Sequence, residues 1–381
     1  MTRKQFLIAL ALLVALAVAG AAVVFSDRSS WSPGDPRAGQ KVVAGLQMSD
    51  VAEIAIRDTT GELHLVRGKD QWTIPERAGF AADTDRVAEL LVKLAELKIV
   101  QSGPMAADQR ARLDLVMPEA KAAPGAGTLL ELKDAKGAAL ARLLLGKEIV
   151  KGGEGASDTR GQAEATGRYL IAGGDSGTLL AVGEPLAEVE AKPDPWLTKD
   201  LVRVEAAKTI TASKDGKPRW RLSRENEAAD WKFAGAKEKP DLQKATDIAS
   251  SLGWMNLVDV VADPEKADTG LDHPIVISAE TFDGLTYTVR IGKPIGDNYY
   301  VRVAVAGEPA KARVAAKNEK AEDKTKNDKE FEERRKKLLA ALERGKTLDR
   351  WVYLVAKSGV APLLRDRREL MPEKKKTTRK S

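Results

Sequence analysis

One passage of this chain is written twice. The first copy runs from Gln71-Trp72-Thr73-Ile74 to Leu145-Gly146-Lys147, and the second from Asp230-Trp231-Lys232-Phe233 to Ile291-Gly292-Lys293. A duplication of this kind constrains the architecture before any motif does, because each copy has to fold to a similar unit. Val87, Leu90, Leu91, Leu94 and Leu97 recur at the spacing of one helical face, and Ala245, Ile248, Ala249, Leu252 and Met255 repeat it. Asp83 and Asp241 stand four residues before these stripes, where a short carboxylate accepts from the N–H groups of a first helical turn. Downstream, Asp114-Leu115-Val116-Met117-Pro118 answers Gly270-Leu271-Asp272-His273-Pro274, and the prolines forbid a continuing helix.

Around these helices the pattern is that of strands. Residues 128–133 with 141–145, and 275–281 with 286–291, read as hairpins closed by Gly-containing turns. Residues 51–57 and 63–66 form another hairpin ahead of Trp72, and 202–204, 209–211 and 220–222 precede Trp231 similarly. The expected fold class is α+β: two tandem similar units, each a largely antiparallel sheet with one main packed helix, after an N-terminal transmembrane helix. Trp72, Asp83, Pro118, Gly146, Trp231, Asp241, Pro274 and Gly292 mark the repeat.

Arg3 and Lys4 precede an apolar run over residues 6–25. About 20 residues at a 1.5 Å rise cross a hydrocarbon core of about 30 Å. Positive charge stays on the cytoplasmic side, so the chain is expected to emerge in the periplasm or outside the cell. An uncleaved anchor is the favoured reading; a cleaved signal peptide with Ala17-Val18-Ala19 as its site is the alternative. The chain has no cysteine, which excludes a lipoprotein, a disulfide, a thiolate metal site and a cysteine nucleophile. Residues 1–25 are thus read as the anchor and 26–44 as a stalk. Residues 45–196 make the first unit, with the break at Pro193-Asp194-Pro195-Trp196, and 197–366 the second unit, with a charged insertion at 307–350. Residues 367–381 are a basic tail that supplies much of the net charge of +6.

No catalytic, cofactor-binding or metal-ligating residue is assigned. Lys147 and Lys293 follow glycine, but the first glycine of a phosphate loop is missing and Glu148 or Pro294 stands where it needs Ser/Thr, so each pair reads as a strand-ending turn. His64 alternates with Leu63 and Leu65 and should face solvent, and His273 lies in a turn. No local spacing gives either a triad or a metal site. Asp263, Glu265, Asp268 and Asp272 lack the fixed glycine and terminal glutamate of a calcium loop and read as a solvated loop. Trp72 and Trp231 read as core aromatics, with sugar stacking as the alternative. Residues 147–167 read as an exposed loop. The 307–350 insertion reads as a projecting helix or a disordered excursion, either solvated or, through Leu338, Leu339 and Leu342, a protein-docking arm. Basic residues are not interleaved with aromatics, which argues against nucleic acid. The tail is a disordered end or a contact to anionic headgroups or wall polymers.

Taken in order, several features resemble the bacterial domain of unknown function 4340 family over most of residues 51–370. They are the anchor, the Trp-x-[Ile/Phe] strand, the Ala82-Asp83-Thr84 helix start, the Gly270-Leu271-Asp272-x-Pro274 turn, the [Leu/Ile]-Gly-Lys strand end and the strand Asn298-Tyr299-Tyr300-Val301-Arg302. The first copy departs from the pattern, with Asp114 where the glycine belongs, and the 307–350 insertion is atypical. The resemblance implies a membrane-anchored envelope protein, often encoded beside a gliding-motility-type ABC transporter, and carries over no catalytic residue. The expectation is a non-enzymatic protein of the bacterial inner membrane with one span, a cytoplasmic N-terminus and the bulk of the chain periplasmic. It would bind a protein partner such as a transporter subunit, with no cofactor and with any small-molecule ligand unknown. The alternatives are a cell-wall or glycan-binding protein and an envelope hydrolase using an acidic pair such as Asp268 and Asp272.

Overall fold

The computed structural model describes residues 35–119, 124–150, 165–173, 177–199, 201, 203–313 and 320–373. They form an α+β protein with two antiparallel sheets and a few helices. The apolar run 6–25, the stalk up to residue 34, residues 151–164 of the glycine-rich segment and residues 374–381 of the tail lie outside the described residues. Among the described residues no helix is long and apolar enough to cross a membrane.

In chain order the first elements are β1 (Glu53–Arg57), β2 (Glu62–Arg67), β3 (Trp72–Ile74), β4 (Phe80–Ala81), α1 (Thr84–Glu96), β5 (Ile99–Pro104), α2 (Gln109–Arg112), β6 (Thr128–Lys133), β7 (Ala139–Val150), β8 (Ala165–Ala172) and β9 (Thr178–Val182). There follow β10 (Ala207–Lys214), β11 (Lys217–Ser223), β12 (Lys232–Phe233), α3 (Leu242–Gly253), β13 (Leu257–Val260), β14 (Ile275–Thr281), β15 (Leu285–Ile295), β16 (Asn298–Gly307), α4 (Ala321–Leu348), β17 (Tyr353–Ala356) and α5 (Lys357–Val360). These group into two compact units, residues 35–67 with 86–192 and residues 68–85 with 193–373.

In the first unit the strands run β2-β1-β6-β7-β8-β9-β5, each antiparallel to its neighbour. Ile54 and Ile56 face Leu65 and Leu63 on one side and Leu132 and Leu130 on the other, so the inward row is continuous leucine and isoleucine. The stripe Val87, Leu90, Leu91, Leu94 and Leu97 is buried along its whole length. At about 1.5–3 kcal/mol for each buried side chain, this row and stripe are the main stabilisation of the unit.

In the second unit the order is β12-β11-β10-β14-β15-β16-β17-β13, again antiparallel throughout. Setting β1 against β10 makes the strand orders coincide over seven strands, from β2 and β11 to β5 and β13. Ala245, Ile248, Leu252 and Met255 are buried as the period requires, with Ala249 half-buried beside them. Asp241 caps α3 by accepting from the N–H groups of Gln243 (3.0 Å) and Lys244 (3.1 Å). Asp83 accepts from Asp85 N–H (3.1 Å) at the start of α1.

Among its described residues the charged insertion is largely helical. α4 lies along β16, and Phe331, Arg335, Leu338, Leu342, Gly345 and Leu348 form its covered stripe. Gly345 is there because a Cβ would stand 2.5 Å from Val305 Cβ. Two of the three leucines proposed as a docking cluster are thus half-covered within the unit, and Leu339 stays exposed. Apolar residues at i, i+3 and i+4 are too sparse in α4 to be conspicuous, yet enough to seat one face.

Candidate functional site

The glycine-lysine pairs do not end their strands. Gly146 and Gly292 sit inside β7 and β15, each at a shift in register, between Leu145 and Glu148 in one and between Ile291 and Pro294 in the other. A bulge interrupts the alternation in the same place that a strand end would, which is why the sequence suggested a turn. Both glycines admit a close backbone approach: Lys147 N–H donates to Leu113 O and Lys293 N–H to Thr269 O, both at 2.8 Å. Asp114 takes φ +52° where Gly270 takes +63°, so both units make a left-handed turn here, one with aspartate and the other with glycine. Asp is among the few non-glycine residues that enter this region at small cost. Pro118 is buried and Pro274 half-buried behind these turns. Trp72 and Trp231 are both buried, the second beneath the Arg224 guanidinium at 4.8 Å, so neither is an open platform for a sugar.

The polar candidates divide into small local pairs. Lys293 Nζ reaches both carboxylate oxygens of Asp268 at 2.6 Å, and this bond holds the lysine above its ordinary pKa. Asp268 is therefore committed to a cation. Asp272 is 4.0 Å from His273 Nε2, and His273 Nδ1 is 3.2 Å from Asp215. His64 is half-buried beside Glu62 (3.5 Å) and Glu53 (3.9 Å). Among the described residues no group of three or more His, Cys, Asp or Glu side chains could hold a metal ion.

A polar cleft of about 270 Å³ opens in the first unit, lined among others by Asp58, Thr128, Glu148, Arg168, Glu190 and Lys192. Sequence reasoning passed over it because its walls come from five separate segments. Arg168 donates from Nε to Gly146 O (2.7 Å) and from Nη1 to Leu186 O (3.0 Å) and Pro185 O (3.3 Å). Burial lowers its pKa, against the opposing pull of Glu148 and other carboxylates. Asp58 is saturated: Oδ1 accepts from Thr60 N–H, Thr60 Oγ1 and Gly61 N–H, and Oδ2 from Ala191 N–H. Burial alone would raise its pKa, but these donors outweigh it and hold the carboxyl below the ordinary value. A carboxylate with its lone pairs occupied is a poor proton acceptor, so Asp58 ties its loop together rather than serving as a base. Asp58 contributes stability that is complete above its unfolded pKa and fades as pH falls through the depressed folded one. Asp58→Asn is expected to cost about 1–3 kcal/mol at pH 7 and clearly less near pH 2, read by urea titration at both values.

The family described as Domain of unknown function (DUF4340) matches residues 72–274. The chain belongs to that family. Neither a curated protein nor a solved structure matches it. The DUF4340 match begins at Trp72 and ends at Pro274, two of the repeat markers, and is narrower than the resemblance over residues 51–370.

One surface feature inside the matched DUF4340 segment stands apart. Trp254, which closes α3, is 71% exposed, and the Arg203 guanidinium lies 4.4 Å from its ring centroid. In the stripe alignment, where Met255 answers Leu97, Trp254 answers Glu96. That glutamate forms an ordinary ion pair with Lys41 at 2.8 Å. One pair of positions thus holds a salt bridge in the first unit and an arginine-supported tryptophan in the second. The helical phase could have revealed it, since residue 254 falls off the apolar stripe.

Proposed function

We propose that this DUF4340 protein is a non-enzymatic, membrane-anchored envelope component whose two units arose by internal duplication and bind a protein partner, a subunit of an ABC-type transport system. The observation that carries the reading is Trp254: a large aromatic turned to solvent, its ring flanked by a cation, at a position where the other copy has a charged pair. Tryptophan and arginine are the residues most enriched where binding energy concentrates. The matching strand orders support the duplication. The apolar run 6–25 behind Arg3 and Lys4 supports a single inner-membrane span with the bulk of the chain periplasmic. The transporter as partner rests on the family resemblance.

Crosslinking the full chain in native membranes, followed by gentle detergent extraction, is expected to recover a transporter subunit. Trp254→Ser should reduce that recovery at least about tenfold, in line with the loss of a central aromatic contact. Recovery of the chain alone would overturn the proposal. Sedimentation with purified cell wall, abolished by the same substitution, would instead favour glycan binding through the open face of the ring.

A further inference from the structure

The common strand order gives residues of one sheet definable counterparts in the other. Leu145 pairs with Leu170 ahead of the first bulge, as Ile291 pairs with Val301 ahead of the second. One step back, Leu144 faces Ile171 and Arg290 faces Arg302. In the first unit this spot is a small apolar core: Leu144, Ile171 and Leu115 are buried together, with Met105, Leu113, Tyr169 and Leu179 packed around them. In the second unit two arginines stand side by side on adjoining strands.

Like charges directly opposite each other destabilise a sheet, since their Cβ atoms are only about 5 Å apart. Arg290 is offset by Asp349 at 3.5 Å. Among the described residues Arg302 has no hydrogen-bond or ion-pair partner, and its Nε is shut off from solvent. Of the acidic segment leading into Gly270, Asp263 is paired with Lys266 and Asp268 with Lys293. A partly sealed guanidinium with no partner among the described residues, set beside another cation, is a feature that calls for an explanation.

We infer that Arg302 and Arg290 form a recognition site for a carboxylate side chain presented by an acidic segment of a protein partner. The guanidinium fork matches a carboxylate through two parallel bonds. A carboxylate of this chain, Asp349, already serves Arg290, whereas a phosphate dianion placed there would meet that aspartate at close range. The inference rests on the partner-binding reading and names the chemistry of the partner surface.

The test uses the full chain in detergent and a fluorescein-labelled hexaglutamate peptide, with binding followed by anisotropy at low salt. Arg302→Met and Arg290→Met are each expected to weaken binding about tenfold or more, and added salt should weaken the wild type. Lys232→Met removes the same charge from an exposed pair with Glu225 and should change affinity less than about twofold. Arg302→Met should also raise the melting temperature, because it removes a repulsion, and this separates lost recognition from lost folding. Unaltered peptide binding by Arg302→Met would overturn the site. So would displacement of the peptide by millimolar inorganic phosphate, or a preference for phosphatidylglycerol vesicles. A chain that binds the peptide through Arg302 but leaves native membranes without a protein partner would sink the partner-binding proposal and the protein source of the carboxylate, and leave the carboxylate site itself standing. A partner retained undiminished by Arg302→Met would sink the site alone.

Discussion

Gly292→Ala in the second unit and Gly146→Ala in the first are each expected to destabilise their unit by about 3 kcal/mol or more. At 292 a Cβ would stand 2.1 Å from Thr269 O, and at 146 it would stand 2.3 Å from Leu113 O and 2.8 Å from Leu115 Cγ. Backbone oxygens cannot swing aside as a flexible side chain can. Relief requires moving the turn, and that breaks the bond from Lys293 N–H or Lys147 N–H that fixes it, at a further cost of about 1 kcal/mol. Against a typical total of about 5–15 kcal/mol, either change leaves a unit close to unfolding. Gly103→Ala is the control, since nothing lies within 4 Å of a Cβ there. Urea denaturation followed by tryptophan fluorescence measures the loss, and hydrogen exchange at the Lys147 and Lys293 amides locates it. A Gly292→Ala protein as stable as Gly103→Ala would refute the close-approach explanation.

What the sequence made legible was local. The stripes Val87 to Leu97 and Ala245 to Met255 declare themselves because burial repeats every three or four residues, and each capping aspartate lies beside the turn it serves. The hairpins β6–β7 and β14–β15 are adjacent in the chain, so alternation and a turn residue suffice to find them. Non-local facts escaped. A glycine within an alternating run is the same letter whether the strand ends or bulges, so the run alone cannot tell the bulges at Gly146 and Gly292 from turns. The cleft around Arg168 depends on five segments meeting, and the opposition of Arg290 and Arg302 depends on a register that no spacing along the chain encodes. Sites on a sheet face are set by pairing, so a reading that proceeds along one strand at a time cannot assemble them.

The same limit governs residues 68–85, which lie in the first copy by sequence but group with the second compact unit. Phe80 is buried there, edge-on to Trp351 at 5.1 Å and to Tyr353 at 5.9 Å between ring centroids. Arg77, a turn away, grips Asp259 with two bonds of 2.6 and 2.8 Å. Ala82 bridges to Leu197, and Asp83 N–H donates to Trp196 O at 2.7 Å. Phe80→Ala should therefore cost about 3–5 kcal/mol, and part of that loss is the aromatic pairing itself, about 0.5–1.5 kcal/mol. The consequence runs against the linear order of the chain: a substitution in the first repeat should loosen the second unit. Hydrogen exchange resolved by segment is expected to show the amides of β16 and β17 losing protection, while those pairing β7 with β8 keep theirs. If the β7–β8 amides open first, Phe80 belongs energetically to the unit in which its sequence lies, and the grouping of residues 68–85 with 193–373 fails.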